Sequence, residues 1–176
     1  MKTKKIILLG YMGSGKTAVG GLLKNKFNLP FWDLDIYLEQ KLNKSIASIF
    51  QSKGELYFRK EERKALEELL KLDEQMIISL GGGTPCYYDT MEYLNSQNQV
   101  KTFYLQTDIK TLSKRLELEK HTRPLISHIK NIEKIQEFVG KHLFERNPFY
   151  VKSDYKLVTQ NKSIENVATE IGSLLT

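Results

Sequence analysis

Lys5-Ile6-Ile7-Leu8-Leu9-Gly10-Tyr11-Met12-Gly13-Ser14-Gly15-Lys16-Thr17 is the stretch on which the fold turns. Lys5–Leu9 is a short apolar run closed by Gly10, the pattern of a strand buried on both faces of a parallel sheet. Gly10–Thr17 matches G-x-x-x-x-G-K-[ST] in full. Val19, Leu22 and Leu23 then follow at helical spacing until Asn28 and Pro30 stop the helix. Glycines at 10, 13 and 15 let successive backbone N–H groups turn inward around a polyphosphate. The helix behind them adds its positive N-terminal end. Lys16 is placed to reach the β- and γ-phosphates, and the Thr17 hydroxyl to hold Mg²⁺. Gly13, Ser14, Gly15, Lys16, Thr17 and Ala18 are the candidate nucleotide contacts. A glycine-rich turn without function is the bland alternative, and the strand before and helix after argue against it.

Outward from this loop the elements alternate. Phe31–Asp33 reads as a second strand, and Ser45 as the N-cap of a helix over Ile46–Gln51. Gly54 separates that helix from Glu55–Leu72, where Phe58, Ala65, Leu66 and Leu69 share one side. Met76–Leu80 and Val100–Leu105 are further strands, Asp108 caps a helix through about Leu118, and Ile132, Ile135, Val139 and Leu143 mark another that is expected to end before Pro148. Tyr155–Val158 is a fifth strand and Ser163 caps a last helix to Leu175. Strands separated by helices imply right-handed parallel crossovers, hence a three-layer α/β/α sandwich on a five-stranded parallel sheet. No linker divides the 176 residues, and one domain over 1–176 is expected.

Hydrophobic residues at 40% and charged residues at 27% are ordinary for a globular chain. The net charge of +6 invites a nucleic-acid partner, but the basic residues alternate with Glu along helical stretches such as Arg59–Lys71. A positive field serves equally well an enzyme with two anionic substrates. The single cysteine, Cys86, allows no intrachain disulfide, and His121, His128 and His142 are too scattered for a zinc site. The basic start Met1–Lys5 precedes an apolar run too short for a signal peptide, and nothing approaches a membrane span. A cytoplasmic setting without membrane or nucleic-acid partner is expected.

Three further features lie downstream of the loop. Asp33 and Asp35 close the second strand as Asp-Leu-Asp, at the end of a strand where open parallel sheets bind ligands. One carboxylate is then free to face a metal and the other a substrate hydroxyl; alternatively both merely cap the helix beginning near Ile36. Glu55, Arg59 and Glu62 share a helix face, a spacing that most often gives a solvated ion-pair ladder. Gly81-Gly82-Gly83 follows the third strand and permits close approach of a ligand to backbone amides, or is a flexible turn. Singly, none of these selects a substrate.

Together they resemble shikimate kinase. The ordered set is Gly10–Thr17, Asp33-x-Asp35, Phe50 with Gly54-Glu55-x-x-Phe58-Arg59-x-x-Glu62, Gly81–Gly83, Arg123-Pro124-Leu125, and Arg146 shortly before Tyr150. The resemblance implies a P-loop NTPase of the nucleoside monophosphate kinase-like type, acting on ATP and shikimate with Mg²⁺, as a monomer. By it, Asp33 joins Thr17 on the metal, and Asp35 holds the acceptor hydroxyl. Arg59 and Arg146 take the carboxylate, Glu62 holds Arg59, and Gly82 offers its N–H to the substrate. Residues about 34–62 form the acceptor-binding helical segment. Arg123 sits in a mobile lid over about 117–131, Arg115 lies near the adenine, and the loop Thr159–Lys162 passes it. Trp32 and Cys86 are assigned to packing. A gluconate or nucleoside monophosphate kinase, or a non-catalytic nucleotide- or RNA-binding module, are the competing readings.

Overall fold

Alternation of Ile6, Ile7, Leu8 and Leu9 to opposite sides of one strand divides the core in two. The computed structural model describes residues 3–123 and 125–175; Met1 and Lys2 of the basic start, and Pro124 of the Arg-Pro-Leu stretch, lie outside the described residues. The elements run β1 (Lys5–Leu9), α1 (Lys16–Phe27), β2 (Phe31–Asp33), α2 (Leu34–Leu42), α3 (Ile46–Lys71), β3 (Met76–Ser79), α4 (Thr90–Ser96), β4 (Val100–Gln106), α5 (Ile109–Glu119), α6 (Ile132–Tyr150), β5 (Tyr155–Val158) and α7 (Ile164–Leu175). All strand pairs are parallel, in the order β2-β3-β1-β4-β5. Ile6 and Leu8 pack with Val19, Leu23, Val167 and Ile171 under α1 and α7. Ile7 and Leu9 pack on the other face with Phe58, Leu66, Leu112, Ile135 and Val139. The sandwich therefore has three layers, as expected.

Chain order reverses at β1, which has β3 on one side and β4 on the other. That switch point is where a doubly wound sheet opens a crevice at its carboxyl edge. Three strand ends meet there: β1 delivers the phosphate loop, β3 the triple glycine and β2 Asp33. Asp33 pairs with Ser79, and Ser79 with Leu8, so the β2 and β1 ends stand about two strand spacings apart, on the order of 10 Å.

Four details depart from the sequence reading. Asp35 does not close a strand: β2 ends at Asp33, whose carboxylate accepts N–H bonds from Asp35 and Ile36, so α2 begins at Leu34. The orphan donors of that first turn draw Asp33 into the capping role. The helix expected to end before Pro148 continues to Tyr150. Pro148 forfeits its bond to the carbonyl one turn back and crowds it, but its fixed φ suits the helix and the cost falls on the last turn alone. Burial of Tyr150 and the Val151 N–H bond to Asn147 hold the last turn. α4 was not anticipated; it is a seven-residue helix without a side-chain cap bond, anchored by buried Met91 and Leu94. Gly54 does break α3, with φ 79° and ψ 173°, but the second segment continues directly and only a kink separates the two.

Candidate active site

The phosphate loop wraps around its own lysine. Gly15 caps α1 with φ 95°, and Ser14 N–H closes the turn on the Tyr11 carbonyl. Lys16 Nζ donates to the carbonyls of Gly10 (2.8 Å) and Tyr11 (3.1 Å). Although the residue is only half-buried overall, its ammonium is enclosed, and burial lowers its pKa to about 8 against the pull of Asp35 and Asp33. Ser14 is buried and its Oγ has no partner.

A cavity of about 520 Å³ opens over this loop. Gly13, Gly15, Lys16, Thr17 and Ala18 form one wall, Asp33, Asp35, Gly81 and Gly82 another, and Arg115, Arg123 and Ile164 the rim. A larger groove of about 890 Å³ runs between the start of α5, α6 and β5; of the candidate positions it takes in only Gln160 of the late loop, and none of the phosphate-loop or acceptor residues. The chemistry belongs to the smaller one.

Both cap bonds of Asp33 fall on Oδ1, which leaves Oδ2 to face the cavity it shares with Thr17. A hydroxyl and a carboxylate are the hard oxygen donors that Mg²⁺ prefers. Among the described residues no three His, Cys, Asp or Glu side chains form a cage, so such an ion would draw its remaining oxygens from phosphate and water. Asp35 lies deeper. Burial, then Glu62 and Asp33, push its carboxyl up to about 6, against the attraction of Lys16 and Arg59.

The acceptor side is organised by the three glycines, because each leaves room for a different side chain. A Cβ on Gly81 would stand 2.8 Å from Asp35 Oδ1 and 3.0 Å from Glu62 Oε1. One on Gly82 would meet Arg146 Nη1 at 3.4 Å, and one on Gly83 would meet Arg59 Nη2 at 2.5 Å. Asp35, Arg146 and Arg59 thus crowd one short backbone segment next to the phosphate loop. Of the three residues that could have formed a solvated ladder two are buried, Arg59 at 9% exposure and Glu62 at 2%, while Glu55 stays exposed. Arg59 Nη1 donates to Glu62 Oε2 (2.8 Å), and Thr84 Oγ1 donates to Glu62 Oε1 (2.6 Å). Glu55 approaches Arg59 Nε at 3.5 Å.

On the opposite rim, Arg123 donates from Nε and Nη2 to Glu119 Oε2, and Arg115 donates to the Gly13 carbonyl at 2.9 Å. The segment around Arg123 is pinned by fully buried Ile126. In the late loop Thr159 turns inward to Thr107, and beyond the loop Ile164, the first residue of α7, reaches the cavity. Trp32 and Cys86 pack against the core, and burial raises the Cys86 thiol to about 11.

Residues that the sequence reading passed over complete the acceptor side. The Tyr87 ring covers the Arg59 guanidinium at 4.2 Å while its hydroxyl donates to Glu55. Tyr11, an unspecified position of the loop motif, is bonded to His142, and Tyr150 donates to the Gly82 carbonyl. Each contact joins distant segments, so no local spacing announces it.

The shikimate kinase family model matches residues 12–176. A shikimate kinase of Flavobacterium psychrophilum is 42% identical over 172 residues, covering 98% of this chain and 99% of that one. A shikimate kinase of Parabacteroides distasonis is 40% identical over 172 residues, covering 98% and 97%. The crystal structure of shikimate kinase from Bacteroides thetaiotaomicron superposes with a TM-score of 0.89 at 36% identity, covering 97% of each chain. That of the Acinetobacter baumannii enzyme in complex with shikimate gives 0.83 at 29%, covering 98% of this chain and 93% of that one.

Proposed function

This chain belongs to the shikimate kinase family and is an ATP-dependent phosphotransferase, and we propose that it carries the γ-phosphoryl group of MgATP to the 3-hydroxyl of shikimate across the cleft between the phosphate loop and Gly81–Gly83. The observation that carries this reading is the crowding of Asp35, Arg59 and Arg146 against three consecutive glycines beside the loop.

Phosphoryl transfer asks a protein chiefly for alignment and charge stabilisation. Lys16 exchanges its two carbonyl partners for phosphate oxygens, whose charge restores the pKa that burial lowers. Thr17 and Asp33 would hold Mg²⁺, which would supply charge stabilisation to the phosphates of the nucleotide. Ser14, with Gly13, Gly15 and Ala18, completes the cradle. Arg59 and Arg146 each offer paired planar donors to the acceptor carboxylate. Glu62 fixes Arg59, and the Gly82 N–H faces the acceptor. Asp35 receives the 3-hydroxyl: a carboxylate of pKa about 6 is ionised at neutral pH yet basic enough to take a proton as the O–P bond forms. Arg123, on a lid of about residues 117–131, leaves Glu119 for the transferring group and shuts out water, the competing acceptor. Arg115 lies beside the adenine. The enzyme acts as a monomer in the cytoplasm, with no nucleic acid or membrane; among the described residues no helix is long and apolar enough to cross a membrane.

ADP release measured over a panel of small alcohols tests this. Turnover with shikimate and background with gluconate and nucleoside monophosphates is the expected result. Faster release with either alternative, or release independent of any acceptor, would overturn it.

A further inference from the structure

Arg146 sits on a face of α6 that is tied down one turn before and one turn after it. Residues 142, 146 and 150 follow at four-residue spacing and so share a side of the helix. At the first, Tyr11 Oη and His142 Nδ1 are 2.9 Å apart. At the last, the Tyr150 hydroxyl donates to the Gly82 carbonyl. Between them the Arg146 guanidinium lies 5.4 Å above the Tyr11 ring, within cation–π range. A Cβ on Gly82 would touch not only Arg146 but also the Gly10 carbonyl and the Met12 nitrogen, the loop atoms on either side of Tyr11. Tyr11 is 1% exposed, and its phenol is kept protonated by burial. Burial, then Arg146, holds His142 below its ordinary pKa, so the neutral imidazole is favoured and Nδ1 is available to accept the Tyr11 proton.

We infer that Tyr11 and His142 are positioning residues through which the phosphate loop sets the place of the acceptor-binding Arg146. The pair acts through Arg146 and touches no substrate. The inference rests on the reading of Arg146 as a carboxylate ligand, and one control keeps the two separable.

Shikimate and ATP kinetics of His142→Leu, His142→Asn, Tyr11→Phe and the Leu/Phe double variant provide the test. Tyr11→Phe keeps the ring beneath Arg146 and removes only the hydroxyl. Asn places a polar atom where Nδ1 stands. His142→Leu should raise the shikimate KM about 5- to 10-fold, the range of one lost buried hydrogen bond, with ATP KM and kcat within about 2-fold. Tyr11→Phe should match it, the double variant should add nothing, and His142→Asn should restore most of the loss. Equal shifts in both KM values, additive losses in the double variant, or lowered Tm without a selective KM change would overturn the inference. If Arg146→Ala itself leaves the shikimate KM unchanged, the carboxylate assignment fails. If it raises KM while His142→Leu does not, only the positioning fails.

Discussion

The two halves of the cleft are built differently. The nucleotide half is one continuous loop whose function follows from its own backbone: glycine conformations, inward N–H groups and a helix end. The acceptor half is assembled from α2, α3, the β3 loop and α6, and its charges are held by one another inside the protein. A local motif carries its chemistry wherever the strand–helix unit folds. A distributed site is also part of the core, so the same residues serve binding and stability. Substitutions in the nucleotide half should therefore cost turnover without stability, whereas those in the acceptor half can also move stability, in either direction.

The largest effect belongs to the nucleotide half. Lys16→Ala should lower kcat about 1,000-fold or more, since it removes a charge from the transferring phosphoryl group. Its stability should hold or rise. A lysine whose pKa falls from 10.5 to about 8 on folding costs stability below pH 8, and that cost fades as pH climbs towards 10.5. Thermal melts beside a coupled ADP assay check both halves of the statement; a destabilised Lys16→Ala would break the comparison.

Next come the two arginines. Arg59→Ala and Arg146→Ala should each raise the shikimate KM about 100-fold, leaving ATP KM within a few-fold, as loss of a bidentate charged contact would. Only Arg59→Ala should also destabilise, by about 3 kcal/mol, because it strands Glu62 at 2% exposure with Thr84 as its remaining partner. Urea melts of the two variants side by side test that asymmetry, and equal loss of stability would refute it.

A smaller contrast compares two glycines. Gly83 has φ −90° and ψ −22°, which any residue adopts, so Gly83→Ala acts only by displacing Arg59 and should raise the shikimate KM about 10-fold. Gly20→Ala places its Cβ 2.3 Å from the Phe31 ring in the other core layer. It should cost about 1–3 kcal/mol of stability and leave both KM values alone. If Gly83→Ala behaves like Gly20→Ala, the triple glycine is a packing feature and not an acceptor-site one.

Sequence legibility followed the same division. β1, the loop and α1 were readable because apolar run, glycines and helical spacing are all local. The capping residues Ser45, Asp108 and Ser163 were found for the same reason, each bonding an amide three residues on. On the acceptor side, Glu55–Arg59–Glu62 had the spacing of a surface ladder, and only burial against the β3 loop distinguishes it from one. Tyr87, Tyr11 and His142 carried no periodic signal, since their partners lie in other elements. Pro148 was read by a local rule that packing of Tyr150 overrode. Asp33 and Asp35 kept their place at the cleft although only Asp33 belongs to the strand and Asp35 to the helix after it.

Asp35 gives the finest test, because there the two halves of the cleft press on one carboxyl. Its pKa, raised from 3.8 to about 6, means that the folded protein holds that proton more tightly than the unfolded chain does. Ionising it therefore costs stability progressively between pH 3.8 and 6, and the full cost persists above that window. Asp35→Asn removes the titration. The variant should match the parent near pH 4 and exceed it at pH 8 by on the order of 1–2 kcal/mol, a figure kept below the full shift because the residue is only half-buried. Turnover should be lost at both pH values. Urea unfolding at pH 4 and 8 gives the difference directly. A variant less stable than the parent at pH 8 would mean that Lys16 and Arg59 outweigh burial, Glu62 and Asp33, and that the acceptor half is electrostatically relaxed before any substrate arrives.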